Sequence, residues 1–174
     1  MRWYVGSDHA GYDLKRSLVA VLRGLGDEVA DYGTDDCSHS VDYPDYAEKV
    51  AVAVAEHRDS LGILVCGTGV GVSIVANKTK GVRAARVTDS YSARMARAHN
   101  DANVLCLGER VTGLGAAEEI VMVFRNTPFD GGRHQQRLDK IAAFEEKQGE
   151  VERDVEGVEG VEGVEGVGGE RSGD

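Results

Sequence analysis

Apolar positions along the chain alternate between two spacings. Short runs rich in Val, Ile and Leu at residues 2–6, 28–32, 61–66, 82–87 and 104–107 fit strands, and their near-continuous apolarity fits burial on both faces. Between them the spacing lengthens to that of a helix. Leu14, Leu18, Val21 and Leu22 mark one over residues 12–22, stopped by Gly24 and Gly26. Pro44 suits the first turn of the next, which runs to about His57. Further helices are expected over 72–77, over 89–99 with Asp89 or Ser90 as cap, and from Gly113 or Gly115 through Phe124. A last one spans 133–148, with Leu138, Ile141, Ala142 and Phe144 or Glu145 around its inner face. Five β–α alternations with short connections predict an α/β domain: a doubly wound, Rossmann-like five-stranded parallel sheet with helices on both faces. Ligands of such sheets bind at the carboxyl ends of the strands. Asp8-His9, the turn after Cys66 and the residues after Val87 all fall at that edge.

Composition changes the picture at the C-terminus. Residues 149–174 hold nine acids and two arginines, so −7 of the formal net charge of −10 resides there and residues 1–148 carry only −3. Val-Glu-Gly repeats four times from Val155 to Gly166 without proline or an aromatic, which excludes a collagen reading and predicts a disordered acidic tail. The organisation expected is one domain, 1–148, followed by the tail, 149–174. A nearly balanced domain has no electrostatic footprint for nucleic acid. No run of about 18 apolar residues predicts a membrane span, and no leader is evident at the N-terminus. Three widely spaced cysteines (37, 66 and 106) fit neither a disulfide framework nor a zinc site and suit a reducing cytoplasm.

The stretch that draws the chemistry together is Cys66-Gly67-Thr68-Gly69-Val70-Gly71, at the tip of the third strand. It is not a dinucleotide fingerprint, because position 72 is valine and the turn follows strand three. Nor is it a P-loop, which needs Lys-Ser/Thr after its final glycine. Alternate glycines before a helix let backbone N–H groups converge on an anion, and a thiol placed there shares the same positive field, which favours its thiolate. The spacing alone leaves two readings: a reactive thiol in an anion hole, or an inert buried cysteine on a glycine turn.

Other candidates are ambiguous singly. Asp8-His9 is either a site or a capped surface turn, and His99-Asn100 closes a helix, where histidine also simply complements the dipole. Arg133 and Arg137 are four apart, so on a helix they share a face and repel unless a common anion binds them. Arg110 either joins them or is solvated, while Cys37 falls in a loop and Cys106 in the core. No metal-ligand spacing is seen and no cofactor is expected. Taken together, a base, an anion hole, acid/base histidines and basic residues for a phosphate point to proton-shuttling chemistry on a phosphorylated small molecule.

Six ordered motifs sharpen this: Ser7-Asp-His-Ala-Gly11, Asp42-Tyr-Pro44, Cys66-Gly-Thr-Gly-Val-Gly71, Ala76-Asn-Lys78, His99-Asn-Asp-Ala-Asn103 and Gly131-Gly-Arg-His-Gln-Gln-Arg137. Over residues 1–148 the chain resembles the ribose-5-phosphate isomerase B family, which also contains the galactose-6-phosphate isomerase subunits. The resemblance implies metal-free aldose–ketose isomerisation of a sugar phosphate through an enediolate. By it, Cys66 is the base, the amides of Gly67, Gly69, Val70 and Gly71 hold the enediolate oxygen, and Thr68 assists proton exchange between the two oxygens. His99 opens the furanose ring, with Asp8 and Asn100 on sugar hydroxyls. His9, Arg133 and Arg137 grip the phosphate, with His134 beside them and Arg110 a weaker contributor. One branch of the family replaces the cysteine by a glutamate in the glycine loop; Val70 and Val72 occupy that loop here, which fits the cysteine branch. The resemblance also implies a homodimer, or a tetramer, in which His99 and the arginines serve the partner's Cys66. The alternatives are an isomerase of a hexose or tetrose phosphate and a phosphosugar-binding regulator without catalysis.

Overall fold

The structure is a computed structural model and describes residues 1–159, with side chains through 149. Five strands, β1 (Arg2–Ser7), β2 (Glu28–Asp31), β3 (Ser60–Cys66), β4 (Ala84–Arg86) and β5 (Val104–Gly108), form one sheet in the order β2-β1-β3-β5-β4. Every pairing is parallel. The helices are α1 (Tyr12–Gly24), α2 (Tyr43–Glu56), α3 (Val70–Ala76), α4 (Ser90–Asn100), α5 (Leu114–Asn126) and α6 (Gln135–Glu159), with short 3-10 turns at His9–Gly11 and Gly132–His134. No described helix is long and apolar enough to cross a membrane.

The strand pleat explains why these sequences are so apolar. Successive side chains point to opposite faces, and here both faces are covered. Trp3, Val5, Ile63, Val65, Leu105 and Leu107 share one core with Leu14, Leu18 and Leu22 of α1, Ala93 and Ala96 of α4, and Ile120 and Phe124 of α5. The intervening positions Tyr4, Leu64, Cys66, Val104 and Cys106 share the other core with Val50 and Val54 of α2 and Val72 and Ala76 of α3. Cys66 therefore faces the α2–α3 layer. From β1 the chain crosses to β2 on one side and later to β3 on the other. The carboxyl ends of β1 and β3 thus flank the switch point where a doubly wound sheet opens a crevice.

The expected elements are present, with shifted limits. β4 is three residues where 82–87 was expected; as an edge strand it pairs only with β5, and Val82 and Val87 are buried outside the ladder. α3 starts at Val70 because Gly69 already makes the turn, at φ +77°. The chain falls into two compact units, Met1–Gln136 and Arg137–Asp174, and the sheet lies wholly in the first. α6 continues to Glu159, past the expected stop near Gln148, through Glu and Arg residues that favour helix. Of its expected inner face only Leu138 is buried; Ile141, Ala142 and Phe144 are exposed, so helical spacing marked an apolar stripe that is left open among the described residues. Residues 160–174, and with them most of the segment expected to be disordered, lie outside the described residues.

One buried carboxylate ties the amino edge of the sheet to α5. Asp27 accepts from Trp3 Nε1 at 3.1 Å and from Arg125 Nε and Nη2 at 2.7 and 2.8 Å. The Arg125 guanidinium holds the Asp27 carboxyl well below the usual carboxylate range. A depressed native pKa adds stability that is present above the unfolded carboxylate pKa of about 4 and is lost as pH falls from there toward the native value. Asp27→Asn is expected to lower stability at neutral pH by about 3 kcal/mol, because it leaves Arg125 without its counter-charge. It should also flatten the fall of Tm below about pH 4. Thermal melts of both proteins across pH check this; an unchanged slope would remove Asp27 as a source of acid lability.

Candidate active site

The site grows from the turn after β3. Gly69, in the left-handed region at φ +77°, reverses the chain so that its own N–H donates to Cys66 Sγ at 3.1 Å. A residue with a Cβ would be strained at that φ, and the Cβ would lie 2.9 Å from the Leu107 carbonyl carbon. Cys66 is almost wholly buried, while Thr68 is exposed at the mouth of the turn, its Oγ1 accepting from the Val70 N–H at 3.4 Å. The amides of Gly71 and Val72, in the first turn of α3, have no intrahelical acceptor. A thiol held by one backbone donor, with further donors beside it, can take and return a proton next to a developing oxyanion.

The turn after β1 is pressed against this one. A Cβ on Gly11 would come 2.6 Å from the Val65 carbonyl carbon and 2.9 Å from the Cys66 nitrogen, so only glycine permits the approach. It brings Asp8 and His9 to the same crevice. Asp8 is buried and its carboxyl is raised above its ordinary value by that burial, against the pull of the Ala10 N–H, which it accepts at 3.0 Å. His9 Nδ1 accepts from the Val41 N–H at 3.1 Å, so a neutral His9 carries its proton on Nε2. Arg110 completes this group. Its N–H donates to the Gly67 carbonyl at 3.1 Å, and its guanidinium lies about 3.6 Å from the space a Gly67 Cβ would occupy.

His99 and Asn100 lie elsewhere. α4 leaves the carboxyl edge at Asp89, whose Oδ1 caps the Ser92 N–H at 2.7 Å, and runs back to the amino edge. There Arg83, just before β4, donates to the Asn100 carbonyl at 2.9 Å. The seven residues of β3 span roughly 20 Å, so Cys66 and His99 of one chain sit at opposite edges of the sheet. His99 has its own group: its ring stacks on the buried His134 at 4.1 Å and 9°, and its Nε2 is 4.0 Å from Asp130 Oδ2. Arg133 Nε donates to His134 Nε2 at 3.4 Å. Arg137 belongs to the second unit. Among the described residues His99, Asp130 and His134 offer ligand atoms within 4.8 Å of one another, a set that a divalent transition ion could use. The parallel rings, however, direct their lone pairs side by side and away from a common point, which is poor geometry for an ion.

The chain thus gathers Cys66, Thr68, the 67–71 amides, Asp8, His9 and Arg110 at one edge, and His99, Asn100, Arg133 and His134 in a second group. The family model described as Ribose/Galactose Isomerase matches residues 4–141. The chain belongs to the ribose/galactose isomerase family. It is 50% identical over 143 residues to ribose-5-phosphate isomerase B of Escherichia coli, covering 82% of this chain and 95% of that protein. The structure of Clostridium thermocellum ribose-5-phosphate isomerase B superposes with a TM-score of 0.83 at 52% identity, covering 85% of this chain and 99% of the other. That of Mycoplasma genitalium ribose-5-phosphate isomerase B with bound ribulose-5-phosphate gives a TM-score of 0.81 at 44% identity, covering 83% and 96%.

In this isomerase-family chain three residues support the turn that the sequence reading did not single out. Tyr43 lays its ring over Gly71, where a Cβ would meet it at 2.7 Å; its only sequence signal was the Asp42-Tyr-Pro44 motif. Arg86, at the end of β4, donates from Nε to the Thr68 carbonyl at 3.1 Å. Glu109 donates its N–H to the Cys66 carbonyl at 2.9 Å and accepts the Leu14 N–H on Oε2 at 2.9 Å, tying the two turns together. Cys37 is exposed and Cys106 buried, as expected; burial, with the neighbouring Cys66 thiol, pushes Cys106 well above the usual thiol range and leaves it a packing residue.

Proposed function

We propose that the chain interconverts D-ribose 5-phosphate and D-ribulose 5-phosphate as a metal-independent aldose–ketose isomerase. The observation that supports this most is the buried Cys66 thiol, held by the Gly69 N–H in a crevice that Asp8, His9 and Arg110 also line, in a chain of this family. In the aldose-to-ketose direction the Cys66 thiolate removes the C2 proton and returns one at C1. The O2 hydroxyl proton passes to O1, with Thr68 assisting, as C2 becomes the carbonyl. The 67–71 amides hold the charge that develops on oxygen, and each such donor contributes typically about 3 kcal/mol. His99 donates the proton that opens the furanose ring; Asp8 and Asn100 bind hydroxyls; His9, Arg133, Arg137 and His134 take the phosphate, with Arg110 beside them.

Because Cys66 and His99 of one chain lie at opposite edges of the sheet, this division of labour requires two chains. We therefore read the working unit as at least a homodimer with each site shared across the interface, in a reducing cytoplasm that keeps all three cysteines free. The isomerase domain is residues 1–148, and 149–174 take no part in the chemistry.

A second reading, turnover of a hexose 6-phosphate, is favoured by the family description, which names galactose beside ribose. Coupled assays over pentose, hexose and tetrose phosphates separate the two. The expected result is a kcat/KM for ribose 5-phosphate at least about tenfold above every other sugar, and the same kcat from a chain ending at Gln148. A preferred hexose or tetrose would replace the substrate; binding of every sugar without turnover would replace catalysis; a kcat lost on truncation would bring the tail into the domain.

A further inference from the structure

Lys15 is buried to 1% exposure, and nothing in the reaction above uses it. Its ammonium sits between Asp31 (2.9 and 3.0 Å to the two carboxylate oxygens) and the Thr34 carbonyl at 2.8 Å. A buried charge is tolerated only when paired and hydrogen-bonded, and the two groups that hold this one are the last residue of β2 and the segment that follows it. That segment is fastened nearby: the Thr34 N–H donates to the Ser7 carbonyl at 3.0 Å, and the Gly33 N–H donates to Asp31 Oδ1 at 2.9 Å. The approach at Gly33 is so close that a Cβ there would lie 2.7 Å from the Ser7 nitrogen and 2.8 Å from Lys15 Cδ. Seven residues beyond Thr34 the same segment delivers the Val41 N–H to His9 Nδ1 at 3.1 Å. Residues 31–41 therefore form a strap over the Asp8-His9 turn, moored by Lys15 at one end and meeting His9 at the other.

We propose that Lys15 is a positioning residue: by mooring this strap it fixes His9 in the tautomer that presents Nε2–H to the substrate. An imidazole whose Nδ1 is occupied by a backbone donor has one tautomer available in its neutral form, and its remaining proton faces the crevice as a hydrogen-bond donor. Without the strap both tautomers are populated, and only a fraction of chains offers the donor. The consequence for turnover rests on reading His9 as a ligand of the substrate phosphate; the tautomer itself does not.

The test uses the full chain, Lys15→Met and Gly33→Ala. The second variant displaces the strap through its Cβ, which also presses on Lys15, but it keeps both charged groups of the buried ion pair. Long-range nitrogen–proton NMR of the histidine rings is expected to find wild-type His9 as the Nε2–H tautomer and a mixture in both variants. Steady-state kinetics on ribose 5-phosphate are expected to show KM raised roughly threefold to tenfold, as the competent fraction falls to between a tenth and a third, with kcat within about twofold. A merely structural lysine would lower Tm without moving the tautomer or separating KM from kcat. The proposal is overturned if wild-type His9 carries its proton on Nδ1, or if folded variants keep both the tautomer and KM. Should Lys15→Met fail to fold, Gly33→Ala decides. A wild type without turnover on any sugar phosphate would instead defeat the isomerase reading, and the NMR result would stand apart from it.

Discussion

Cys66→Ser and Cys66→Ala are both expected to lower kcat/KM for ribose 5-phosphate by between about 10² and 10⁴, the usual contribution of a positioned general base. Tm should stay near that of the wild type. The Gly69 N–H, 3.1 Å from Sγ, donates to the sulfur and can equally donate to a serine hydroxyl oxygen. Serine thus keeps the turn and a similar volume in the core that Cys66 shares with α2 and α3, but it offers a hydroxyl that does not ionise near neutrality. Alanine removes the group altogether. A second readout isolates the carbon-acid step: exchange of the C1 hydrogen of ribulose 5-phosphate with D2O needs the base and the amides but no ring opening. Cys66 variants should lose this exchange together with turnover. His99→Asn should lose turnover on the cyclic aldose phosphate and retain more of the exchange. Turnover surviving in Cys66→Ala would move the base to another residue, and Asp8, buried in the same crevice, is the next to try.

Why the turn was legible before the structure, and its supports were not, follows from where each signal resides. Cys66-Gly-Thr-Gly-Val-Gly71 encodes its own geometry, since the residue that needs a left-handed φ is the residue that is glycine. Strands β3 and β5 were equally plain, because a parallel strand covered on both faces has to be apolar at nearly every position. The strand order was not legible: β1, β3 and β5 carry the same kind of apolar run, and no run specifies its neighbour. Glu109 is a polar residue after a strand until the fold brings it to the Leu14 N–H, 95 positions away. Lys15 carries no signal of its own in the helix over residues 12–22; only the return of the chain through Gly33 and Thr34 buries it. For α6 the helical period held, but the period cannot say whether the stripe of Ile141 and Phe144 meets the same chain, another chain or water.

Two inactive variants are expected to restore each other. Cys66→Ala and His99→Asn homodimers should each have little activity, because every site in them lacks either the base or the ring-opening acid. When equal amounts are unfolded together and refolded, random pairing makes half the dimers mixed. In a mixed dimer one site combines the Cys66 of one chain with the His99 of the other and is complete, while the second site lacks both groups. Recovery should therefore approach about a quarter of wild-type specific activity, one working site of two in half the dimers. α4 starts at the carboxyl edge of the sheet, at Asp89, and ends at the opposite edge, where Arg83 holds the Asn100 carbonyl. No side-chain rotation of His99 spans the roughly 20 Å height of that sheet. If the mixture stays as inactive as its parents while size-exclusion chromatography shows mixed dimers, the two residues do not share a site across the interface. If it is monomeric and the wild type is monomeric and active, the shared site itself is wrong, and His99 with its stacked His134 serves some other purpose.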